Sequence, residues 1–142
     1  MEPLQRDLYK SDNLLEIMIR LIEQARNFQD RIAVKSNDRS YTYTQLLDAS
    51  ENIALELLNG ADDLQEARIA FLVPSGFEYV CIQWGIWRAG GIAVPLCEKH
   101  PLPSIQYVID DTKASAIIFS KEFELLLSPL SNTTEIRFIP LE

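Results

Sequence analysis

A chain of 142 residues, 47% of them hydrophobic, holds material for one core and gives no sign of a second domain. Its formal net charge of -8 excludes the broad basic footprint that a nucleic acid backbone requires. No segment reaches the apolar length of a membrane span, and residues 1–10 lack both the apolar core of a signal peptide and the Arg/Ser-rich, acid-poor look of a transit peptide, so the cytoplasm is the expected compartment.

In chain order, residues 11–13 supply helix-capping side chains, with Glu16 three residues after Asn13. Leu14, Met18, Leu21, Ala25 and Phe28, broadened by Ile17 and Ile22, then predict a helix that covers a core. Residues 31–35 and 40–44 are short β-prone runs joined by Ser36-Asn37-Asp38-Arg39, which reads as a hairpin. Thr44 is the expected cap of the next helix. Leu46, Ser50, Ile53 and Leu57 line its inner side, Leu47, Ala54 and Leu58 widen it, and Asn59-Gly60 ends it. An acidic loop, residues 61–66, follows.

Residues 67–101 are the most informative. Residues 68–73 form an apolar run closed by Pro74, as in a strand buried on both faces. Ser75 and Glu78 have capping-box spacing for a helix carrying Phe77, Val80, Cys81 and Trp84, continued by Trp87 and Arg88 and stopped at Gly90. Residues 92–96 are a second apolar run. Two buried strands joined by one helix in about thirty residues make a right-handed βαβ unit, and hence a parallel sheet. Tyr79, Ile82 and Ile86 add a second apolar row, so this helix is apolar almost all round. The expectation is that the short chain leaves one row uncovered and is marginal, sticky or dimeric through it.

Pro101 and Pro103 then open a helix with Ser104 as its cap, Ile105, Val108 and Ile109 inward, and residues 110–113 closing it. Residues 116–119 read as a third buried strand, 121–127 as a short helix ended before Pro129, and 135–139 as a last strand. Repeats and low-complexity tracts are absent. Together these elements predict an α/β fold: a parallel sheet with flanking helices and a small N-terminal hairpin.

The sequence holds little overt chemistry. There are five glycines, neither GxGxxG nor GxxxxGK[ST] occurs, and Gly90-Gly91 reads as a helix stop and a tight turn. Cys81 and Cys97 have no zinc or redox spacing and read as structural. His100, the single histidine, follows a strand but lacks a nucleophile or carboxylate at motif spacing, and Asp110-Asp111 read as a solvated helix end. No catalytic or metal-binding residue is assigned.

The run RIAFLVPSGFEYVCIQWGIWRAGGIAVPL, then HP, then SIQYVIDDTKASAIIFS, preceded by YTYTQLLDASENIALEL, resembles the opening subdomain of the adenylate-forming acyl-CoA synthetases over residues 41–120. Within that family, QWGIWRAGGIAVPLCEKHP resembles the malonyl-CoA synthetases. The resemblance implies a two-step ligase: ATP and a carboxylate give an acyl-adenylate and pyrophosphate with Mg2+ neutralising phosphate charge, and coenzyme A then displaces AMP. The family's Ser/Thr/Gly-rich phosphate loop, Tyr-x-x-Thr-Glu segment, ribose-binding Asp and C-terminal catalytic Lys have no counterpart here; all lie downstream of such a subdomain. The resemblance also implies that Gly90 and Gly91 lie near the pantetheine passage and Ser120-Lys121 near the coenzyme A nucleotide of a complete enzyme. The leading expectation is a partial, AMP-dependent synthetase N-terminal domain over residues 1–142. It would be inactive alone and need no cofactor by itself, its partner being the rest of the synthetase or a second copy. Two alternatives stand beside it: a free-standing α/β binding module, and a different α/β enzyme that uses loop residues such as His100.

Overall fold

The computed structural model describes residues 19–141, so the expected cap at residues 11–13 and the apolar positions before residue 19 lie outside the described residues. Helix α1 (Arg20–Ala25) leads into the antiparallel hairpin of β1 (Ile32–Ser36) and β2 (Arg39–Thr42). After α2 (Tyr43–Leu58) the chain alternates: β3 (Arg68–Leu72), α3 (Phe77–Arg88), β4 (Ile92–Pro95), α4 (Leu102–Thr112), β5 (Ala116–Phe119), α5 (Glu124–Ser131) and β6 (Arg137–Pro140). A single 3-10 turn, Lys121–Phe123, precedes α5.

The four later strands form one parallel sheet in the order β4-β3-β5-β6. The chain therefore steps from β3 to β4 in one direction, then crosses back over β3 to β5 and continues outward to β6. Right-handed crossovers in opposite directions put their helices on opposite faces. The packing agrees. Ile82 and Ile86 of α3, with Leu57 and Leu58 of α2, cover Ile69, Phe71, Ile118 and Ile139 on one face. Ile105 and Ile109 of α4, with Leu127 and Leu130 of α5, cover Ala70, Leu72, Ile117 and Phe119 on the other. Strand β5 is buried at all four positions, the continuous apolar pattern of a strand covered on both faces.

The all-round apolar helix is covered from within the chain, contrary to expectation. Ile82 and Ile86 are fully buried on the sheet, while Cys81 and Trp84 pack in a separate cluster with Ile22 and Ala25 of α1 and Leu46 of α2. The small N-terminal elements supply the second surface. Helix α2 approaches α3 closely at Gly85, where a Cβ would lie 2.6 Å from Ile53 Cγ2 and 2.9 Å from the Ser50 carbonyl. Beside it the buried Arg88 guanidinium donates to the Leu47 carbonyl (2.6 Å) and to Ser50 Oγ (2.9 Å). Burial holds Arg88 below its usual pKa, partly offset by Glu51.

Other details depart from the sequence reading for local reasons. Thr42 caps α2 instead of Thr44: its Oγ1 accepts from Gln45 N (3.2 Å) and Gln45 Oε1 accepts from Thr42 N (2.8 Å), a reciprocal pair that needs Gln three residues on. Helix α3 starts one residue late, at Phe77, with Gly76 as its N-cap and no side-chain cap, so Ser75 and Glu78 do not form a capping box. Ser104 lies inside α4, whose N-cap is Pro101. Leu21 is exposed because the inward side of α1 carries Ile22 and Ala25, and Phe28 because α1 stops at Ala25 and the chain turns before it. Helix α5 continues through Pro129; the Leu125 carbonyl, which the missing proline N–H leaves without its helical donor, accepts from Ser128 Oγ at 3.0 Å.

Both edge strands carry a proline facing outward. In β6, Arg137 N and Leu141 N donate across to β5, and in β4, Ile92 N and Leu96 N donate to β3. Alternation then turns the main-chain groups of Pro140 and Pro95 to the open edges, where proline has no N–H to offer.

Candidate functional site

Reversal of strand order between β3 and β5 makes the loops after these two strands diverge, which leaves a crevice at the carboxyl edge of the sheet. A cleft of about 610 Å³ lies there. One wall is the loop after β3, Pro74-Ser75-Gly76, running into Phe77 and Glu78 at the start of α3. Ser120, Lys121 and Glu122, which follow β5, form the opposite wall, and the hairpin residues Ser36, Arg39 and Tyr41 close the side.

The hairpin is fixed to this cleft by stacking and by a close approach. The rings of Tyr41 and Phe77 lie parallel, with centroids 3.9 Å apart and planes 4° from coincidence. At Gly76 an added Cβ would stand 2.8 Å from Ser36 Oγ, so the absence of a side chain lets the hairpin turn sit on the helix start. That turn has Asn37 and Asp38 both at positive φ, as a two-residue hairpin with a primed turn requires.

Electrostatically the cleft is mixed. Arg39 and Lys121 bring positive charge, Glu78 and Glu122 negative charge, and the first turn of α3 has no side-chain cap on its N–H groups. Ser120 Oγ is buried there without a hydrogen-bond partner. Orphaned donors at a helix start, two cations and an unsatisfied hydroxyl suit a phosphate-like group better than a neutral ligand. The cleft lining includes no histidine or cysteine.

Of the residues singled out by sequence, Lys121 is exposed on the cleft wall. Gly90 and Gly91 are at the other end of the sheet, in the turn that enters β4 at its amino edge, so the structure does not bring them together with Lys121. Their glycines have local causes. Gly90 has φ +78°, and a Cβ there would lie 2.5 Å from Asp63 Oδ1; at Gly91 it would lie 3.0 Å from both Ile86 Cγ2 and Leu64 Cδ1. His100 is exposed in the turn after β4, away from the cleft lining. Cys97 is exposed, while Cys81 is buried with its thiol pushed up to about 12, by burial first and by the charge of Glu78 second. Asp110 and Asp111 are exposed at the end of α4, and no group of three or more metal-ligating side chains occurs among the described residues. Sequence reasoning missed Arg39, Tyr41 and the cleft face of Phe77 and Glu78. The signal that could have found them is the Pro-Ser-Gly loop after β3, once β3 and β5 are known to flank the switch point.

A family of proteins described as AMP-binding enzymes matches residues 21–137. The mitochondrial malonate–CoA ligase ACSF3 of Mus musculus is 36% identical over 135 residues, which are 92% of this chain and 22% of that protein. Its counterpart in Homo sapiens is 38% identical over 122 residues, 83% of this chain and 21% of that protein. The chain thus spans about a fifth of the length of these curated relatives. Among solved structures, the anthranilate CoA ligase AuaEII in complex with anthranoyl-AMP superposes on 92% of this chain and 25% of its own, with a TM-score of 0.75 and 21% identity. The inhibitor-bound N-terminal domain of FACL13 from Mycobacterium tuberculosis covers 85% of this chain and 32% of its own, with a TM-score of 0.72 and 18% identity. These structures share the fold. With the family matched over most of its length, this chain belongs to the AMP-binding enzymes and resembles the amino-terminal part of the malonate–CoA ligases.

Proposed function

We propose that this chain serves as the opening subdomain of an ATP-dependent acyl-CoA synthetase acting on a short dicarboxylic acid, malonate first, and that it does not catalyse the reaction alone. The observation that carries this reading is the match to malonate–CoA ligases over nearly the whole chain but only about a fifth of theirs. In the complete reaction a carboxylate oxygen attacks the α-phosphorus of ATP and expels pyrophosphate, and the coenzyme A thiolate then attacks the acyl carbon and expels AMP.

The residues present do not fit ATP and Mg2+. The sequence has no glycine-rich phosphate loop, and the cleft lining offers two carboxylates alongside two cations where a metal site would gather several oxygen ligands. They do fit one end of coenzyme A. Lys121 and Arg39, with the uncapped start of α3 and Ser120 Oγ, would hold a phosphate at the nucleotide end of coenzyme A, whose thiol, at the other end of its pantetheine arm, would supply the thioester chemistry elsewhere. Gly90 and Gly91, at the far edge, are left out of that contact.

The test is a chimera in which this chain replaces the corresponding segment of a malonate–CoA ligase. Pyrophosphate exchange and malonyl-CoA formation by the chimera, with neither from the chain alone, is the expected result. Lys121→Glu in the chimera should raise the KM for coenzyme A several-fold and leave malonate-dependent pyrophosphate exchange unchanged. Exchange by the 142-residue chain alone would overturn the proposal. One observation favours a second reading, a free-standing binding module: both apolar rows of α3 are covered within the chain. A folded chimera that is inactive with every acid tried would move the preference there.

A further inference from the structure

Of the six asparagines in the sequence, Asn59 is the one followed by glycine. It is the C-cap of α2, in the left-handed region at φ 46° and ψ 42°, and Gly60 follows at φ +89°. Both residues are exposed, and a Cβ added at Gly60 would meet nothing within 4 Å. Asn59 N donates to the Leu55 carbonyl at 3.0 Å and Ala61 N to the Leu58 carbonyl at 2.8 Å. Among the described residues, the Gly60 N–H between them has no acceptor, and the Asn59 side-chain amide has no hydrogen-bond partner.

We propose that Asn59 is a site of spontaneous deamidation, which closes through the Gly60 nitrogen to a succinimide and opens to isoaspartate, loosening the end of α2. Gly60 N gives its proton to water, and its lone pair attacks Asn59 Cγ; the N–Cγ bond forms, the Cγ–Nδ2 bond breaks, and ammonia leaves. Water then adds to one of the two ring carbonyls. Opening at Cγ gives aspartate, whereas opening at the main-chain carbonyl routes the chain through Cβ and Cγ as isoaspartate, with no change of oxidation state. Ring closure needs rotation about the Asn59 Cα–C bond, which the open space around Gly60 permits, and departure from the left-handed region relieves a residue that carries a Cβ. The other exposed asparagines lack this combination. Asn37 precedes Asp38, and Asn132 precedes the β-branched Thr133 and donates from Nδ2 to the Ser128 carbonyl at 3.4 Å.

The consequence for α2 follows from what the turn connects. Leu57 and Leu58 before it are buried in the core, and the loop after it is pinned by Leu64 N to the Ala89 carbonyl and by Glu66 N to the Gly90 carbonyl, each at 2.9 Å. An extra main-chain atom between two fixed points must be absorbed by the cap. The new carboxylate also stands at the negative end of the helix dipole, just before Asp62 and Asp63.

The experiment incubates the purified chain in warm, mildly alkaline buffer and follows proteolytic peptides by mass spectrometry. Isoaspartate is counted by an isoaspartate-specific carboxyl methyltransferase with labelled S-adenosylmethionine. The Asn59 peptide should convert from amide to acid at least about tenfold faster than those of Asn37 and Asn132, because glycine leaves the attacking nitrogen uncrowded. It should accept methyl groups, and the melting temperature should fall in step with the fraction converted. Asn59→Gly, which suits the left-handed cap, should end methyl acceptance in this peptide and hold the melting temperature constant through the incubation. Conversion of Asn59 no faster than that of Asn132, or only in denatured protein, would overturn the proposed site. A melting temperature that stays constant while Asn59 converts would overturn its coupling to α2.

Discussion

Replacing Gly85 with alanine tests the packing of α2 on α3, on which burial of the central helix depends. The new Cβ would stand 2.6 Å from Ile53 Cγ2, 2.7 Å from Ile53 Cβ and 2.9 Å from the Ser50 carbonyl oxygen. Rotation of Ile53 can relieve the first contact only. The other two are anchored to the α2 backbone, so the helices must part, and the Arg88 bonds to Leu47 and Ser50 lengthen with them. Helix propensity acts the other way, favouring alanine by about 1 kcal/mol. Overpacking of a close contact costs about 1–3 kcal/mol, and stretching charge-assisted bonds adds to it. The net expectation is a loss of roughly 1–2 kcal/mol, or about 3–8 °C in Tm for a chain of this size. Thermal unfolding followed by the emission of Trp84 and Trp87 measures it, since both belong to the cluster on that side of α3. A variant that melts at or above the parent temperature would refute the argument that this contact is already at its limit.

Thr42→Ala should cost about 1 kcal/mol by removing the reciprocal cap of α2, and Thr44→Ala much less; chemical denaturation of the pair separates the two capping assignments. Native protein should react with one equivalent of maleimide, at Cys97, and denatured protein with two, because the Cys81 thiol is buried and stays protonated to about pH 12. The same shift makes a linkage prediction. An unfolded thiol ionises near 9, so stability from Cys81 is fully present below that pH and is lost as pH rises towards 12; a Cys81→Ala variant should show a shallower loss over that window. Gly90→Ala should destabilise by more than about 1 kcal/mol through its positive φ and the approach of Asp63, whether or not coenzyme A is present.

Much of the fold was legible in the sequence because apolar runs and helix breakers coincide here. The run at residues 116–119 is apolar at every position and is the strand buried at every position. Asn59-Gly60 ends α2 with both residues at positive φ, and Gly90 ends α3 in the same region. What escaped reading was non-local. Nothing within residues 77–88 says that α1 and the first turns of α2 will cover Cys81 and Trp84, and so the helix looked short of partners when it was not. Pro129 reads as a stop because its repair comes from the serine beside it, a side-chain bond that periodicity does not report. The cleft was missed because strand order decides which loops face one another. Lys121 was named from resemblance alone, whereas Arg39 and Tyr41 reach the site from a hairpin some eighty residues earlier.

The outward prolines at Pro95 and Pro140 bear on how such a protein is made. In a longer relative, a region like this leaves the ribosome before the rest exists, when neighbouring nascent chains on one message offer many identical strands. A sheet with a donor missing at the end of each border strand is a poor template for those neighbours. A region with such borders should therefore be able to stay folded and separate from its neighbours. Replacing both prolines with valine should raise light scattering during refolding at high concentration far more than it changes Tm, and equal scattering from the two proteins would show that the borders are protected by something else.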